Sequence, residues 1–200
     1  MKSNASDQIS AADQMRKRII DAAVHLFDKG GAQAVSMRKI AERIGYSPAA
    51  IYLYFKGKND ILLALVDHGF ERLHARLVAA GPSGNPKDRL LALCRAYIDF
   101  ALDEPHYHYL MFFDPEVVVP QESEAHQGSP AQLSYLAMQD AMSECYAHGL
   151  IQGGDPMLAT AAMVATMHGI ALTLTGKRLV LIPEDQRAAI AENVLRFVLR

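Results

Sequence analysis

The chain of 200 residues has no tryptophan and only two cysteines, Cys94 and Cys145, and it has no Cys-x-x-Cys pair. Disulfide-rich scaffolds and zinc sites need more cysteines at closer spacing, so we expect two buried free thiols. A nucleophile elbow, a glycine-rich phosphate loop and a paired-carboxylate motif are missing too. We therefore name no catalytic residue and predict no cofactor.

The chain also has little excess of either charge, because its formal net charge is only −2. The charges are unevenly distributed, however. Residues 1–60 hold ten Lys or Arg and six Asp or Glu, which gives +4, whereas residues 61–200 hold ten and sixteen, which gives −6. A basic N-terminal end and an acidic remainder would orient the protein on a polyanion. Chance asymmetry in a short segment is the alternative explanation.

Beyond the N-terminal third, convincing alternation of apolar and polar residues is missing, so we expect helices rather than strands. With 50% apolar residues the chain can bury a real core, and the predicted fold class is all-α. The polar opening, residues 1–11, lacks the apolar run of a signal peptide and predicts a flexible arm. We accordingly expect a cytoplasmic protein.

Two short helices about a glycine turn are predicted near the end of the basic segment. Ser36 can cap the first helix, in which apolar residues recur at the spacing of one buried face. Gly45 can adopt a positive φ where that helix ends. Ser47 and Pro48 then read as the N-cap and first residue of a second helix. The residues of the buried face are Ile40, Ala41 and Ile44.

The second helix has one face for the core and another that suits a DNA groove. Ile51 and Phe55 lie four residues apart and can point inward. Small residues let the backbone approach base edges, and tyrosine hydroxyls can donate to phosphates. A structural helical hairpin with a basic surface is the alternative. The groove-facing residues are Ala49, Ala50, Tyr52 and Tyr54, and the flanking cations are Arg38, Lys39, Lys56 and Lys58.

From about Ala12 to Leu65 the chain resembles the DNA-binding domain of TetR-family transcriptional regulators. The matching residues are Arg18-Ile19-Ile20-Asp21-Ala22-Ala23, Leu26-Phe27, Gly30-Gly31, Met37-Arg38-Lys39-Ile40-Ala41, Gly45-Tyr46-Ser47, Ile51-Tyr52, Tyr54-Phe55, Lys58 and Ile61-Leu62. The resemblance implies a three-helix, homeodomain-like helix-turn-helix domain over residues 12–57 and a linking helix over 58–80. Residues 81–200 would form a helical ligand-binding and dimerisation domain.

The resemblance also implies roles for individual residues. It makes residues 47–54 the recognition helix, with Tyr52 and Tyr54 in contact with the DNA backbone or bases. Arg38 and Lys39 would lie at the groove edge, and Lys58 would contact phosphate. The chain departs from many relatives in starting this helix with Pro48-Ala49-Ala50, which offers little side-chain hydrogen bonding. DNA shape and thymine methyl contacts should therefore carry more of the specificity.

Residues 156–176 contain no charged residue, and by length alone they would qualify as a membrane span. Several threonines, a histidine and the lack of a basic flank argue against a membrane and favour dimerisation. Small residues recur every four positions at Ala161, Ala165, Gly169 and Thr173, so another helix can approach closely. A last helix is predicted to begin at Pro183. The resemblance implies a homodimer through residues 156–175 and 184–199, and hence a palindromic operator.

Aromatic and thioether side chains in the C-terminal part suit an adaptable apolar pocket, and they suit an ordinary core equally well. Part of the pattern, Met167-His168-Gly169 included, resembles the TetR C-terminal subclass named for a Trp-His-Gly motif, with methionine in place of its tryptophan. The predicted ligand-binding residues are Tyr97, Phe100, Tyr107, Met111, Met138, Met142, Tyr146, Met167 and His168.

Eight histidines raise the alternative of a metal sensor. His106 and His108, two apart on a helix, would point to different faces, so no metal site is predicted. The sequence hypothesis is a homodimeric repressor that binds double-stranded operator DNA and is released by an unidentified small-molecule effector. The linking helix over residues 58–80 would transmit the population shift. The rival hypothesis is a helical enzyme or ligand-binding protein without a DNA role.

Overall fold

The computed structural model describes residues 10–81, 84–118, 127–151 and 154–176, together with positions 183, 189, 193 and 196. Regular structure in these ranges is helical throughout, which confirms the all-α prediction. Most of the last predicted helix and residues 1–9 of the predicted arm lie outside the described residues, whereas Ser10 caps α1 and Ala11 begins it. The helices are α1 Ala11–Ala34, α2 Met37–Ile44, α3 Pro48–Tyr52, α4 Lys58–Ala80, α5 Pro86–Asp103, α6 Pro105–Phe112, α7 Pro130–Ala147 and α8 Pro156–Thr175.

Four of these helices begin with the same local device, a polar N-cap followed by proline. The cap side chain accepts a hydrogen bond from a free backbone N–H in the first turn, and proline occupies a position whose N–H has no helical partner. These signals need only a few neighbouring residues, which is why the sequence locates the helix starts. The pairs are Ser47-Pro48, Asn85-Pro86, Ser129-Pro130 and Asp155-Pro156.

The chain divides into two compact units, and the first comprises Met1–Val66 together with Tyr109–Pro120. In this unit α1 packs on α2, and α2 packs on α3. Helix α1 is interrupted at Gly30 and at Gly31, which has a φ of 62°. The core side chains that are at most 2% exposed include Ile19, Ala23, Phe27, Ile40, Ala41, Ile51 and Phe55.

Gly45 ends α2 with a φ of 75°, and a Cβ added there would have no atom within 4 Å. The cost of alanine at this position is therefore backbone strain without a steric clash. We expect Gly45→Ala to lower the free energy of unfolding by about 1 kcal/mol, measured by urea denaturation. Gly57→Ala is the matched control, because Gly57 also has open space but no positive φ. Equal losses in both variants would contradict the assignment.

The second unit comprises Asp67–His108 and Gln121–Arg200. Helix α5 packs against α7 and α8, and α7 packs against α8. Ion pairs join the second half of α4 to the end of α5: Arg72 Nε lies 2.7 Å from Glu104 Oε2, and Arg76 bonds both Asp103 and Glu104. Cys94 and Cys145 are free and buried, as predicted, and burial raises the pKa of the Cys94 thiol to about 12.

Helix α8 is long and apolar enough to cross a bilayer, with a mean hydropathy of 1.6 over its central window. Core helices of soluble proteins meet the same criterion. One side of α8, represented by Met163 and Met167, is buried in the second unit. Its other side exposes the small-residue ridge of Ala161, Ala165, Gly169 and Thr173. The helix thus has one packed face and one open face of small residues.

Candidate nucleic-acid interface

Helix α3 is a five-residue helix, shorter than the predicted 47–54. Ser47 Oγ accepts a hydrogen bond from the Ala50 N–H at 3.3 Å and fixes its start. The backbone N–H groups of Tyr54 and Phe55 both donate to the Ile51 carbonyl, so the chain leaves the helix in a tight turn. Ile51 and Phe55 are 1% and 2% exposed, which confirms that they anchor this element to the core.

The predicted DNA-contact residues of this element are mostly open to solvent. Ser47, Pro48 and Ala49 are exposed and Ala50 is half-buried. The Tyr52 side chain is 54% exposed, whereas Tyr54 is half-buried. Leu53 is 82% exposed and was not among the predicted contacts. The only hint in the sequence was that Leu53 directly follows the predicted contact Tyr52. An apolar residue outside the buried stripe does not by itself indicate a DNA contact.

Arg16 of α1 contacts the residues that directly follow α3. The sequence did not indicate this contact. Arg16 Nη1 donates to the Tyr54 carbonyl at 2.6 Å, and its guanidinium lies 4.5 Å from the centroid of the Phe55 ring. A cation at the C-terminal end of a helical segment also interacts favourably with the helix dipole. Arg18 acts similarly on α2, donating to the Ile44 carbonyl at 3.4 Å and lying over the Tyr46 ring.

The flanking cations differ in their surroundings. Arg38 and Lys39 are exposed in the first turn of α2, which is capped by Ser36. Lys58, the first residue of α4, forms an ion pair of 2.6 Å with Glu116, which follows α6 in the chain. This pair lies within the first unit. The proposed phosphate contact is thus already paired with a carboxylate.

Three polar side chains of the second unit meet, of which Tyr97 and His108 are buried and His168 is half-buried. The Tyr97 hydroxyl lies 2.6 Å from His168 Nδ1 and 3.2 Å from His108 Nε2. Burial and then the neighbouring His168 lower the pKa of His108 to about 4, and burial lowers the pKa of His168. Burial also raises the pKa of Tyr97. The group is therefore uncharged at neutral pH, with the hydroxyl bridging two neutral imidazoles.

Tyr97 and His168 were predicted as ligand-binding residues, whereas His108 was missed. Its partners lie on α5 and α8, and no local sequence pattern connects them. Of the remaining predicted ligand-binding residues, Met111 falls in the first unit and the others in the second. Those at most 9% exposed are Phe100, Tyr107, Met111, Met138, Met142 and Met167, while Tyr146 is half-buried.

An open cleft of about 530 Å³ lies in the first unit, lined by Arg18, Asp21, His25 and Arg43 among others. Partial burial and then the charges of Arg43 and Lys29 lower the pKa of His25. None of the predicted ligand-binding residues lines this cleft. In the described ranges, no group of three or more His, Cys, Asp or Glu side chains is placed to hold a metal ion.

A short exposed helix after a glycine turn, anchored to a three-helix core, defines a helix-turn-helix protein. Residues 19–65 match the family described as bacterial regulatory proteins of the tetR family. Residues 90–198 match the family described as a tetracyclin repressor-like C-terminal domain. Since that second match alone covers over half of the chain, the protein belongs to the TetR family. Members of this family are transcriptional regulators and not enzymes. The Trp-His-Gly subtype stays a prediction.

Curated relatives match over about half of the chain or less. The transcriptional repressor KstR of Rhodococcus jostii is 39% identical over 82 residues, which cover 40% of this chain and 38% of that repressor. The transcriptional regulator BetI of Rhizobium meliloti is 34% identical over 104 residues, covering 52% and 46%. The matched segments thus span less than half the length of these relatives.

Solved structures resemble the chain over nearly its whole length. A protein of unknown function from Rhodococcus sp. RHA1 superimposes with a TM-score of 0.74 at 27% identity, covering 97% of this chain and 100% of that one. FadR from Bacillus subtilis, solved in complex with stearoyl-CoA, gives a TM-score of 0.66 at 20% identity, covering 92% and 97%. At that identity the FadR match supports the fold alone.

Proposed function

We propose that the protein is a cytoplasmic, homodimeric repressor that binds a palindromic operator and is released from it by a small molecule. The observation that carries the proposal is the exposure of Ser47, Pro48, Ala49 and Tyr52 on a helix anchored by buried Ile51. Such a rigidly held, exposed helix after a glycine turn is what major-groove reading requires.

Base reading on this face would rely on apolar contact. Pro48, Ala49 and Ala50 carry no side-chain donor or acceptor, so they can approach thymine methyl groups closely. The exposed Leu53 adds another apolar side chain beside Tyr52. Phosphate contacts from Arg38, Lys39 and Lys58, together with DNA shape, would then set register and affinity.

Dimerisation would use α8 and the last predicted helix, residues 184–199. The ridge of Ala161, Ala165, Gly169 and Thr173 is exposed on the side of α8 that faces away from Met163 and Met167. Met157 and Leu158, 52% and 64% exposed, extend this open face with apolar surface. A two-fold dimer would place two recognition helices about one DNA turn apart.

The effector would bind in the second unit, among the predicted ligand-binding residues. Tyr97 and His168 supply polar groups, and Met138, Met142 and Met167 are buried in the same unit. Thioether side chains adapt to differently shaped ligands, so repacking around an apolar effector is physically accessible. An effector that binds one arrangement of the dimer better than the other would shift the population away from operator binding.

The reading face is tested by Tyr52→Ala and Lys58→Ala in salt titrations of DNA binding. Gel shifts with the DNA upstream of the protein's own gene identify a bound duplex first. We expect Tyr52→Ala to weaken binding about tenfold, and Lys58→Ala to weaken binding to operator and random duplexes alike, because phosphate contacts carry no sequence information.

Matched controls separate these effects from general damage. Tyr135→Ala removes another exposed tyrosine, in α7, and Lys17→Ala removes another exposed lysine, in α1. Both should leave affinity within about twofold of the parent protein. If neither Tyr52→Ala nor Lys58→Ala weakens binding, the proposed face is wrong. A protein that gives no sequence-dependent shift would instead favour the rival hypothesis of a helical ligand-binding protein or enzyme.

A further inference from the structure

The ion pair between Lys58 and Glu116 joins residues 58 positions apart in the chain. Lys58 Nζ lies 2.6 Å from Glu116 Oε2, and the two side chains are 35% and 44% exposed. The hydrogen bond and charge of Lys58 lower the pKa of Glu116, so this carboxylate is ionised at neutral pH. Gln33 Nε2 approaches the other carboxylate oxygen at 3.5 Å.

The backbone holds Glu116 in place on both sides. Before it, Asp114 Oδ1 accepts the Glu116 N–H at 2.9 Å, which is an Asx turn. After it, Val118 exchanges two hydrogen bonds with the Asn59 amide: the Val118 N–H donates at 2.9 Å, and Asn59 Nδ2 donates to the Val118 carbonyl at 3.2 Å. Because Asn59 directly follows Lys58, these two hydrogen bonds keep residues 114–118 beside the Lys58 ammonium group. The pair is therefore held by more than two flexible side chains.

A DNA phosphate that approaches Lys58 would meet the Glu116 carboxylate. Two anions beside one ammonium group repel each other, so the phosphate contact requires the ion pair between Glu116 and Lys58 to break. Breaking the pair offsets part of the gain from the new contact, and the freed carboxylate faces a polyanion.

We propose that Glu116 competes with DNA phosphate for Lys58 and thereby lowers the affinity of the protein for any duplex. The proposal rests on the proposed function, because it takes Lys58 as a phosphate contact. It makes Glu116 an internal limit on affinity that does not depend on base sequence. Competition of this kind keeps non-specific binding weak while the base-reading face stays unchanged.

The primary test is Glu116→Gln, which removes the charge and keeps the shape of the side chain. We expect affinity at about 0.1 M salt to rise about fivefold, equally for the operator duplex and for a random duplex of the same length. The matched control is Glu42→Gln, which removes one charge from the exposed surface of α2 in the same unit. Its gain measures the effect of net charge alone and should stay below about twofold.

A double-mutant cycle with Lys58→Ala isolates the competition. In the Lys58→Ala background, Glu116→Gln should gain no more than Glu42→Gln does. The slope of log affinity against log salt should steepen by up to about 0.9 in Glu116→Gln alone, because Lys58 then releases a phosphate counterion without leaving a carboxylate unpaired. An undiminished gain without Lys58, a gain confined to the operator, or a gain equal to that of Glu42→Gln would overturn the proposal.

A spectroscopic measurement reports on the pair directly. The carboxyl carbon resonance of Glu116, titrated by NMR, should show a lowered pKa in the free protein that rises when a random duplex is added. An unchanged pKa on a duplex that binds would overturn the competition while leaving operator reading intact. Operator reading itself fails separately, if the protein binds operator and random duplexes equally.

Discussion

Ala49→Glu is expected to weaken operator binding by at least about a hundredfold without lowering the stability of the fold. Ala49 is an exposed residue in the first turn of α3, where an acidic side chain interacts favourably with the helix dipole, by about 0.3–1 kcal/mol. In the major groove the same carboxylate would face base edges and phosphates with no cation to pair with. Thermal denaturation and fluorescence anisotropy with the operator duplex measure the two effects separately.

The chain supplies a close control for this substitution. Helix α7 begins with Ser129-Pro130-Ala131, the same three residue types as Ser47-Pro48-Ala49, and both serines cap their helices. Ala131 is half-buried, so Ala131→Glu serves as the control for DNA affinity, which it should leave unchanged. Ala49→Gln, which has the length without the charge, should lose less affinity than Ala49→Glu. A stable Ala49→Glu protein that still binds with parental affinity would show that α3 does not enter the groove.

The features that the sequence predicted are those whose physical cause lies within a few residues. Ser47 and Pro48 start a helix through contacts inside its first turn, and Gly45 ends one through its own backbone conformation. Ile51 and Phe55 share a face because they are four residues apart. The starts of α2 and α3 and the buried side of α3 were predicted for this reason. The true length of α3 could not, since Leu53 and Tyr54 lie in a turn after the helix, in which the Tyr54 N–H bonds the Ile51 carbonyl three residues earlier.

The contacts that the sequence missed join residues far apart in the chain. Arg16 donates to the Tyr54 carbonyl across 38 positions, and Tyr97 bonds His168 across 71. Such contacts depend on how helices pack, and nothing in the local pattern of either residue records its partner. The exposed positions of α3 were easier to predict than the group around His108. Exposure follows from the pattern of one helix, whereas Tyr97, His108 and His168 come from three different helices.

Lowering the pH from 7 to 4 is expected to reduce the free energy of unfolding by about 2–3 kcal/mol through His108 alone. The pKa of His108 is about 4 in the folded protein and 6.5 in the unfolded chain. The unfolded chain therefore binds more protons throughout that window, so stability is full above pH 6.5 and is lost as the pH falls toward 4. The lowered pKa of His168 acts in the same direction. Urea denaturation at a series of pH values measures the loss.

His108→Gln removes the titrating group while keeping a side-chain amide near the position of Nε2, within reach of the Tyr97 hydroxyl. This variant should be less stable at pH 7 but should show a flatter pH dependence than the parent protein. His106→Gln is the matched control, because His106 lies two residues earlier on α6 and is exposed. Its stability should follow the parent curve. Protonated His108 would be a buried cation beside His168. Its charge would make protonation of His168 less favourable as well, so protonating either histidine costs folding free energy. Parallel curves for His108→Gln and the parent would show that His108 stays accessible to protons in the folded state.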